Sequence, residues 1–180
     1  MKRQVALSAI GRDRPGIVAG LTHALFEQGC NLEESSMTRL KGEFAILLLV
    51  TLSETTTPAV LEASLAPVAR DLGLTLLVRD LTAEEMQAED DSQTDPYTLV
   101  VYGADRPGIV FRVTEAASRH GLNITDLRTR VTGAAPVYSL LMEVEAPSAA
   151  AAEAFRGELA TLRGELHVET TFEPVDADEL

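Results

Sequence analysis

A hexapeptide that occurs twice is the feature that most limits the folds open to this chain. Residues 13–18 read Asp-Arg-Pro-Gly-Ile-Val, and residues 105–110 repeat the same six residues. At the same spacing Asn31 matches Asn123. Self-similarity at one fixed spacing indicates a duplicated structural module. We therefore expect the 180 residues to form two homologous halves, each the size of a small domain.

The net charge of −13 is concentrated outside the two halves. Residues 81–95 hold six acidic side chains and no Lys or Arg, and four more acidic residues lie within the last eight. We expect a first domain over residues 1–80, an acidic linker over 81–95, a second domain over 96–172 and an acidic tail over 173–180. The acidic segments would repel DNA and anionic lipid, and no basic stripe is present to neutralise phosphates.

Several classes of protein are excluded on similar grounds. The longest apolar run, residues 44–50, is far shorter than the roughly 20 residues that span a bilayer. The single cysteine, Cys30, cannot form an internal disulfide, which is typical of a reducing compartment. We expect a cytoplasmic protein that binds neither nucleic acid nor membrane directly.

Both halves show the same pattern of secondary structure. A short β-rich run ends at a Pro-Gly turn, and an amphipathic helix follows that ends at a glycine. Two alternating strands, joined by a turn near Lys41-Gly42 or Gly133-Ala134, are followed by a second helix and a last strand that complete each half. Pro15 and Pro107 are predicted at the first helical position, where the missing N–H costs nothing. The second helix and the last strand are predicted over residues 58–72 and 74–78, and in the second half over 148–162 and 165–171.

The order βαββαβ, occurring twice, predicts the fold class. Two right-handed βαβ crossovers joined by a hairpin form a four-stranded antiparallel sheet with both helices on one face. We therefore expect an α+β protein with two ferredoxin-like domains. In the first half the outward positions Ala45, Leu47 and Leu49 are as apolar as the inward ones. Because large exposed apolar patches are uncommon on monomers, we expect a homo-oligomer.

The Pro-Gly turn is the place where polar chemistry is duplicated. Gly16 and Gly108 leave the backbone open to a ligand, and the first N–H groups of a helix attract a carboxylate or phosphate. Asp13 and Asp105 can accept a hydrogen bond from an ammonium group. Turn and helix end together therefore suit both charges of an amino acid. Asn31 and Asn123 open the second strand of each half and can both donate and accept.

A purely structural interpretation of the same residues stays open. Asp13 can satisfy the helix N-terminus, Gly16 can serve the turn, and Asn31 can belong to the helix exit. Catalysis is not indicated, because the three histidines occupy unrelated positions and Cys30 has no obvious histidine partner. We expect no enzyme activity, no catalytic residues, no cofactor and no metal site.

The repeated Asp-Arg-Pro-Gly-Ile-Val turn, followed by Gly-Cys-Asn-Leu or Gly-Leu-Asn-Ile within a βαββαβ unit, resembles the ACT domain. The resemblance covers nearly all of residues 3–172. Two such units without an attached enzyme resemble the glycine cleavage system transcriptional repressor family. The resemblance implies a site lined by the turn of one copy and the second strand of its neighbour. The implied ligand-binding residues are Asp13, Gly16, Ile17, Asn31, Asp105, Gly108, Ile109 and Asn123.

The resemblance also implies a function. We expect a regulatory protein that senses a small amino acid, with glycine and serine as candidates, and that modulates a partner regulator protein without touching DNA. A carboxylate at Asp13 or Asp105 must then face the ammonium group of the ligand, since it would repel the carboxylate. The alternative is a ligand-independent interaction and oligomerisation module.

Overall fold

The computed structural model describes residues 3–82, 85, 94–132 and 137–175. Each half contains four strands and two helices in the described residues. The first half consists of β1 (Gln4–Arg12), α1 (Ile17–Glu27), β2 (Asn31–Leu40), β3 (Glu43–Thr51), α2 (Pro58–Leu72) and β4 (Leu74–Asp80). The second consists of β5 (Asp95–Ala104), α3 (Ile109–Arg119), β6 (Asn123–Thr132), β7 (Val137–Ala146), α4 (Ala149–Leu166) and β8 (Val168–Pro174).

The strands form two separate antiparallel sheets. Their strand orders are β2-β3-β1-β4 and β6-β7-β5-β8, and every neighbouring pair is antiparallel. The chain divides into two compact units between Glu89 and Asp90. The predicted fold class, two ferredoxin-like βαββαβ units, is confirmed.

Each unit has its own hydrophobic core between the helices and one face of the sheet. Alternate residues of β3 are buried, and the same alternation is found in β7, because successive side chains of a strand point to opposite faces. These inward residues are Phe44, Ile46, Leu48 and Val50 in the first unit and Tyr138, Leu140, Met142 and Val144 in the second. The other face of the first sheet exposes Ile10, Leu47 and Leu77.

Two boundaries differ from the predictions in the second unit. Helix α4 runs to Leu166, beyond the predicted end at residue 162, and β8 starts correspondingly later. Gly164 does not end the helix, because a glycine in a helix interior costs only about 1 kcal/mol and α4 is held by buried residues such as Phe155 and Leu162. The helix ends instead at His167, which adopts a left-handed conformation.

The first β hairpin turns at Lys41 and Gly42, both with positive φ, as the sequence predicts. From the sequence a corresponding turn is predicted near Gly133-Ala134 in the second half. That turn, most of the acidic linker and most of the acidic tail lie outside the described residues. Within the part of the chain that the structure describes, no helix combines the length and the apolar character that crossing a bilayer requires.

Candidate functional site

The two Pro-Gly turns have almost the same backbone geometry. Gly16 has φ 95° and ψ −8°, and Gly108 has φ 96° and ψ −8°. Both glycines are the N-cap residues of their helices, and no side chain caps either helix. The first N–H groups of a helix lack intrahelical acceptors. Each unit therefore presents an uncapped helix N-terminus behind a left-handed glycine.

The predicted helix start is wrong by two residues in both units. Helices α1 and α3 begin at Ile17 and Ile109, so that Pro15 and Pro107 lie in the turn before the N-cap. The reason is the positive φ of Gly16 and Gly108, which lies outside the helical region. Glycine is required there for its conformation. An added Cβ would meet no atom within 4 Å at either position beyond those of the glycine and its two chain neighbours.

Asp13 is bound from two sides. Its backbone N–H donates to the carbonyl oxygen of Gly42 at 2.8 Å. Its carboxylate accepts a hydrogen bond from Nη1 of Arg39 at 3.1 Å. Arg39 lies on β2 opposite Phe44, and sequence reasoning did not identify it as a site residue. The carboxylate expected to face a ligand ammonium therefore already has a cationic partner.

Asp105 has different surroundings. It is exposed, and among the described residues no cationic side chain forms an ion pair with it. In the second unit Tyr138 occupies the position that Phe44 has in the first, and it is 8% exposed. Burial raises the pKa of Tyr138, the negative charge of Asp105 raises it further, and the Thr129 hydroxyl opposes the rise. Tyr138 was also not identified from the sequence.

The side chains of Ile17 and Ile109 belong to the cores. They are 2% and 1% exposed, respectively, and lie among the buried residues of their units. A ligand at the turn can therefore reach only the backbone N–H groups of these two residues.

Asn31 and Asp13 lie at opposite ends of the first sheet. Asn31 and Gln4 both pair with Thr51, whereas Asp13 follows Arg12 at the far end of β1. Eight residues of strand separate the two ends, which corresponds to about 25 Å. One small ligand cannot contact both side chains of the same unit. The site that combines the turn of one copy with the strand of its neighbour stays a prediction.

The two asparagines make local hydrogen bonds. Nδ2 of Asn31 donates to the Glu33 carboxylate at 2.9 Å, and Nδ2 of Asn123 lies 3.5 Å from the Glu145 carboxylate. Each asparagine therefore uses its amide N–H group within its own unit. The amide oxygen is the group that a ligand ammonium would require.

Other titratable residues are held in ion pairs away from the turns. The carboxylate of Glu158 on α4 contacts Arg119 and lies 2.8 Å from Nε2 of His120. Within the described residues no group of three or more His, Cys, Asp or Glu side chains is arranged to hold a metal ion.

Comparison with known proteins supports the assignment made from the fold. The ACT domain model matches residues 3–79 and 98–173. The glycine cleavage system transcriptional repressor of Escherichia coli (strain K12) is 30% identical over 155 residues, which cover 83% of this chain and 77% of the relative. UPF0237 protein MK1213 of Methanopyrus kandleri is 38% identical over 77 residues, 42% of this chain and 86% of its own length.

A solved structure of an unknown protein from Galdieria sulphuraria has the same fold. It superimposes with a TM-score of 0.85 at 26% sequence identity and covers 98% of this chain and 100% of its own. Two ferredoxin-like units that share a glycine-capped turn thus define a tandem ACT-domain protein. The chain belongs to the ACT domain family and, within it, to the family of the glycine cleavage system transcriptional repressor. This agrees with the prediction of a regulatory protein.

Proposed function

We propose that the protein senses a small amino acid, with glycine and serine as first candidates, and thereby modulates a partner regulator protein. It acts on transcription without contacting DNA itself. One observation carries the sensing proposal. Each unit places a carboxylate three residues before a left-handed glycine and an uncapped helix N-terminus. The helix end attracts the carboxylate of a zwitterion, and the aspartate attracts its ammonium.

The regulatory step requires a difference in affinity. A ligand changes the equilibrium between two arrangements of a protein only if it binds one of them more tightly. An amino acid at a turn adds a contact to the start of α1 or α3. The arrangement that this contact favours then binds the partner protein with a different affinity. The partner is a protein, because the net charge of −13 opposes binding to a polyanion.

Titration of the full chain with each of the twenty amino acids tests the sensing proposal. At about 100 times its Kd, a ligand stabilises a protein by roughly 2.7 kcal/mol, which raises the melting temperature of a small domain by about 10–20 °C. The double variant Asp13→Asn, Asp105→Asn should lose the response. The control variant Glu54→Gln removes an exposed carboxylate that lies outside both turns and should keep it. If no amino acid shifts the melting temperature, the sensing proposal is wrong.

A second candidate function rests on the exposed face of the first sheet. Leu47 is 50% exposed, and Leu47 and Leu77 flank Ser8 on neighbouring strands. Apolar patches of this kind mark interaction sites. The alternative is therefore a ligand-independent module that docks through this face, either to a second copy of the chain or to the partner protein.

The variant Leu47→Glu distinguishes the two functions. Its matched control is Leu141→Glu, the corresponding position of β7, where the open face also carries Glu143. If the module acts by docking alone, Leu47→Glu abolishes self-association in sedimentation velocity and no amino acid affects the association. If the protein is a sensor, the amino acid response survives in the variant. Unchanged association in Leu47→Glu would contradict docking through this face.

A further inference from the structure

The two turns have almost the same backbone geometry but differ in the side chains around the carboxylates of Asp13 and Asp105. In the first unit Arg39 pairs with Phe44 across the hairpin, and in the second Val131 pairs with Tyr138. Arg39 and Val131 therefore occupy the same place in the two folds. Arg39 supplies the guanidinium that binds Asp13, whereas a valine has no charge to offer Asp105.

Neighbouring arginines of β6 do not replace the missing guanidinium. Arg128 forms an ion pair with Asp126 at 3.0 Å. Arg130 pairs with Ser139 and so lies on the sheet face opposite to Val131 and Tyr138. Among the described residues, the carboxylate of Asp105 is therefore left without an ion pair.

The second unit also contains a buried hydroxyl whose hydrogen bonding is incomplete. Tyr138 stands where the first unit has Phe44, and its residue is 8% exposed. Its hydroxyl oxygen is buried and has no partner at full hydrogen-bond geometry among the described residues, and the Thr129 hydroxyl, which lowers its pKa, is the hydrogen-bonding group beside it. Tyr138 pairs with Gly103 of β5, two residues before Asp105, and the negative charge of Asp105 raises the pKa of Tyr138. Leaving such a group unpaired is unfavourable, and native proteins rarely do so.

We propose that the second unit carries the working amino-acid site, whereas Arg39 of the first unit occupies the place that the ligand ammonium would take. The inference rests on the sensing function proposed above and states which turn performs it. The ligand ammonium binds Asp105, its carboxylate binds the N-terminus of α3, and Tyr138 gains a partner at the floor of the site, directly or through a water molecule.

The two turns differ in affinity because a ligand has to displace different interactions at each of them. A ligand at Asp13 has to break the pair with Arg39, and an exposed pair of this kind is worth up to about 5-fold in an equilibrium constant. It also has to place its ammonium beside a guanidinium. A ligand at Asp105 displaces only water. The second turn is therefore the stronger site, by about 10-fold or more when the hydroxyl contact is included.

Isothermal titration calorimetry of the full chain with glycine and with serine tests the proposal. The wild-type chain is measured first and single variants of the two turns are measured next. The wild-type chain should bind one strongly held ligand. Asp105→Asn should weaken that binding at least about 10-fold, because it removes a charged hydrogen-bond partner, whereas Asp13→Asn should leave it unchanged. Tyr138→Phe should weaken it by about 3- to 10-fold.

The reciprocal exchange is the sharper experiment. Val131→Arg builds the first unit's ion pair into the second and should weaken the strong site by up to about 5-fold. Arg39→Val frees Asp13 and should raise the stoichiometry from one to two. Both positions are solvent-exposed, since Val131 is 53% exposed and the Arg39 side chain 67%. Far-ultraviolet circular dichroism of each variant checks that the fold is retained.

The outcomes separate this inference from the sensing function. If neither the wild-type chain nor any of the variants binds an amino acid, the sensing function itself is wrong. If the wild-type chain binds two ligands equally, or if Asp13→Asn removes the strong site while Asp105→Asn does not, the protein is a sensor but the assignment to the second unit is wrong.

Discussion

Substitution of Gly108 by alanine tests the geometry from which the site is built. At φ 96° and ψ −8°, a Cβ conflicts with the residue's own backbone. Beyond the glycine and its two chain neighbours, no atom lies within 4 Å of the position that this Cβ would occupy, so crowding by the rest of the protein adds nothing. Such a conformation costs a non-glycine residue of order 1–3 kcal/mol. Alanine recovers about 0.4–1 kcal/mol by restricting the unfolded chain. We expect a net loss of about 1–2 kcal/mol.

Gly157 provides a matched control with the opposite sign. It is exposed within α4, it has no positive φ, and an added Cβ there also meets nothing within 4 Å. Because glycine in a helix interior is destabilising relative to alanine, Gly157→Ala should stabilise the same unit by about 0.5–1 kcal/mol. The two variants therefore differ in backbone conformation and not in available space.

Tyrosine fluorescence is a suitable probe for this comparison. The chain has three tyrosines and no tryptophan, and Tyr97, Tyr102 and Tyr138 all lie in the second unit. A loss of 1 kcal/mol lowers the melting temperature of a domain of 60–100 residues by about 4–8 °C. Gly108→Ala should therefore melt about 4–16 °C lower, and Gly157→Ala should melt higher. An unchanged or raised melting temperature for Gly108→Ala would refute the strained-glycine argument.

Three further substitutions test other parts of the structure. Phe155→Ala removes a fully buried ring that packs edge-on against Phe172 and should cost about 3–5 kcal/mol, measured by urea unfolding followed by tyrosine fluorescence. Gly11→Ala places a Cβ 2.7 Å from the carbonyl oxygen of Gly73 and should cost about 1–3 kcal/mol, measured by circular dichroism. Burial alone would raise the pKa of Glu158, but hydrogen bonds from Arg119 and His120 outweigh it and hold the pKa below its usual value. Because such a carboxylate contributes stability above its unfolded pKa of about 4.3 and loses it as the pH falls through the folded pKa, Glu158→Gln should make unfolding less sensitive to acid below about pH 4.5. An equal acid sensitivity in Glu158→Gln and wild type would contradict this.

Much of the fold follows from the sequence because its signals agree with one another. The alternation of Phe44, Ile46 and Leu48 defines a strand with one buried face, and the repeat doubles each signal. The predicted helix starts were wrong because Pro15 is compatible with both a turn and a first helical turn. The φ of Gly16 decides between them, and that angle depends on where the chain must go after β1.

The site was less predictable because its contacts depend on strand register. Arg39 reaches Asp13 only because the Lys41-Gly42 turn sets β2 against β3 so that Arg39 lies opposite Phe44. Register is fixed by the turn and by the buried face, and neither reveals which polar side chain then lies beside a given loop. Asn31 shows the converse. Its chemistry suited the ligand, but the length of β1 places it far from Asp13.

The duplication has a consequence for how residues of such a chain should be interpreted. Gly16 and Gly108 recur because the turn requires a positive φ. Ile17 and Ile109 recur because their side chains fill the two cores. Recurrence at these positions is therefore explained by folding alone. Arg39 and Tyr138 have no counterparts of the same chemistry. Arg39 binds Asp13, and the pKa of Tyr138 is raised by the charge of Asp105, the aspartate that recurs. A difference between two copies of one fold is not required by the fold. These two positions are therefore where the two units can differ in ligand binding.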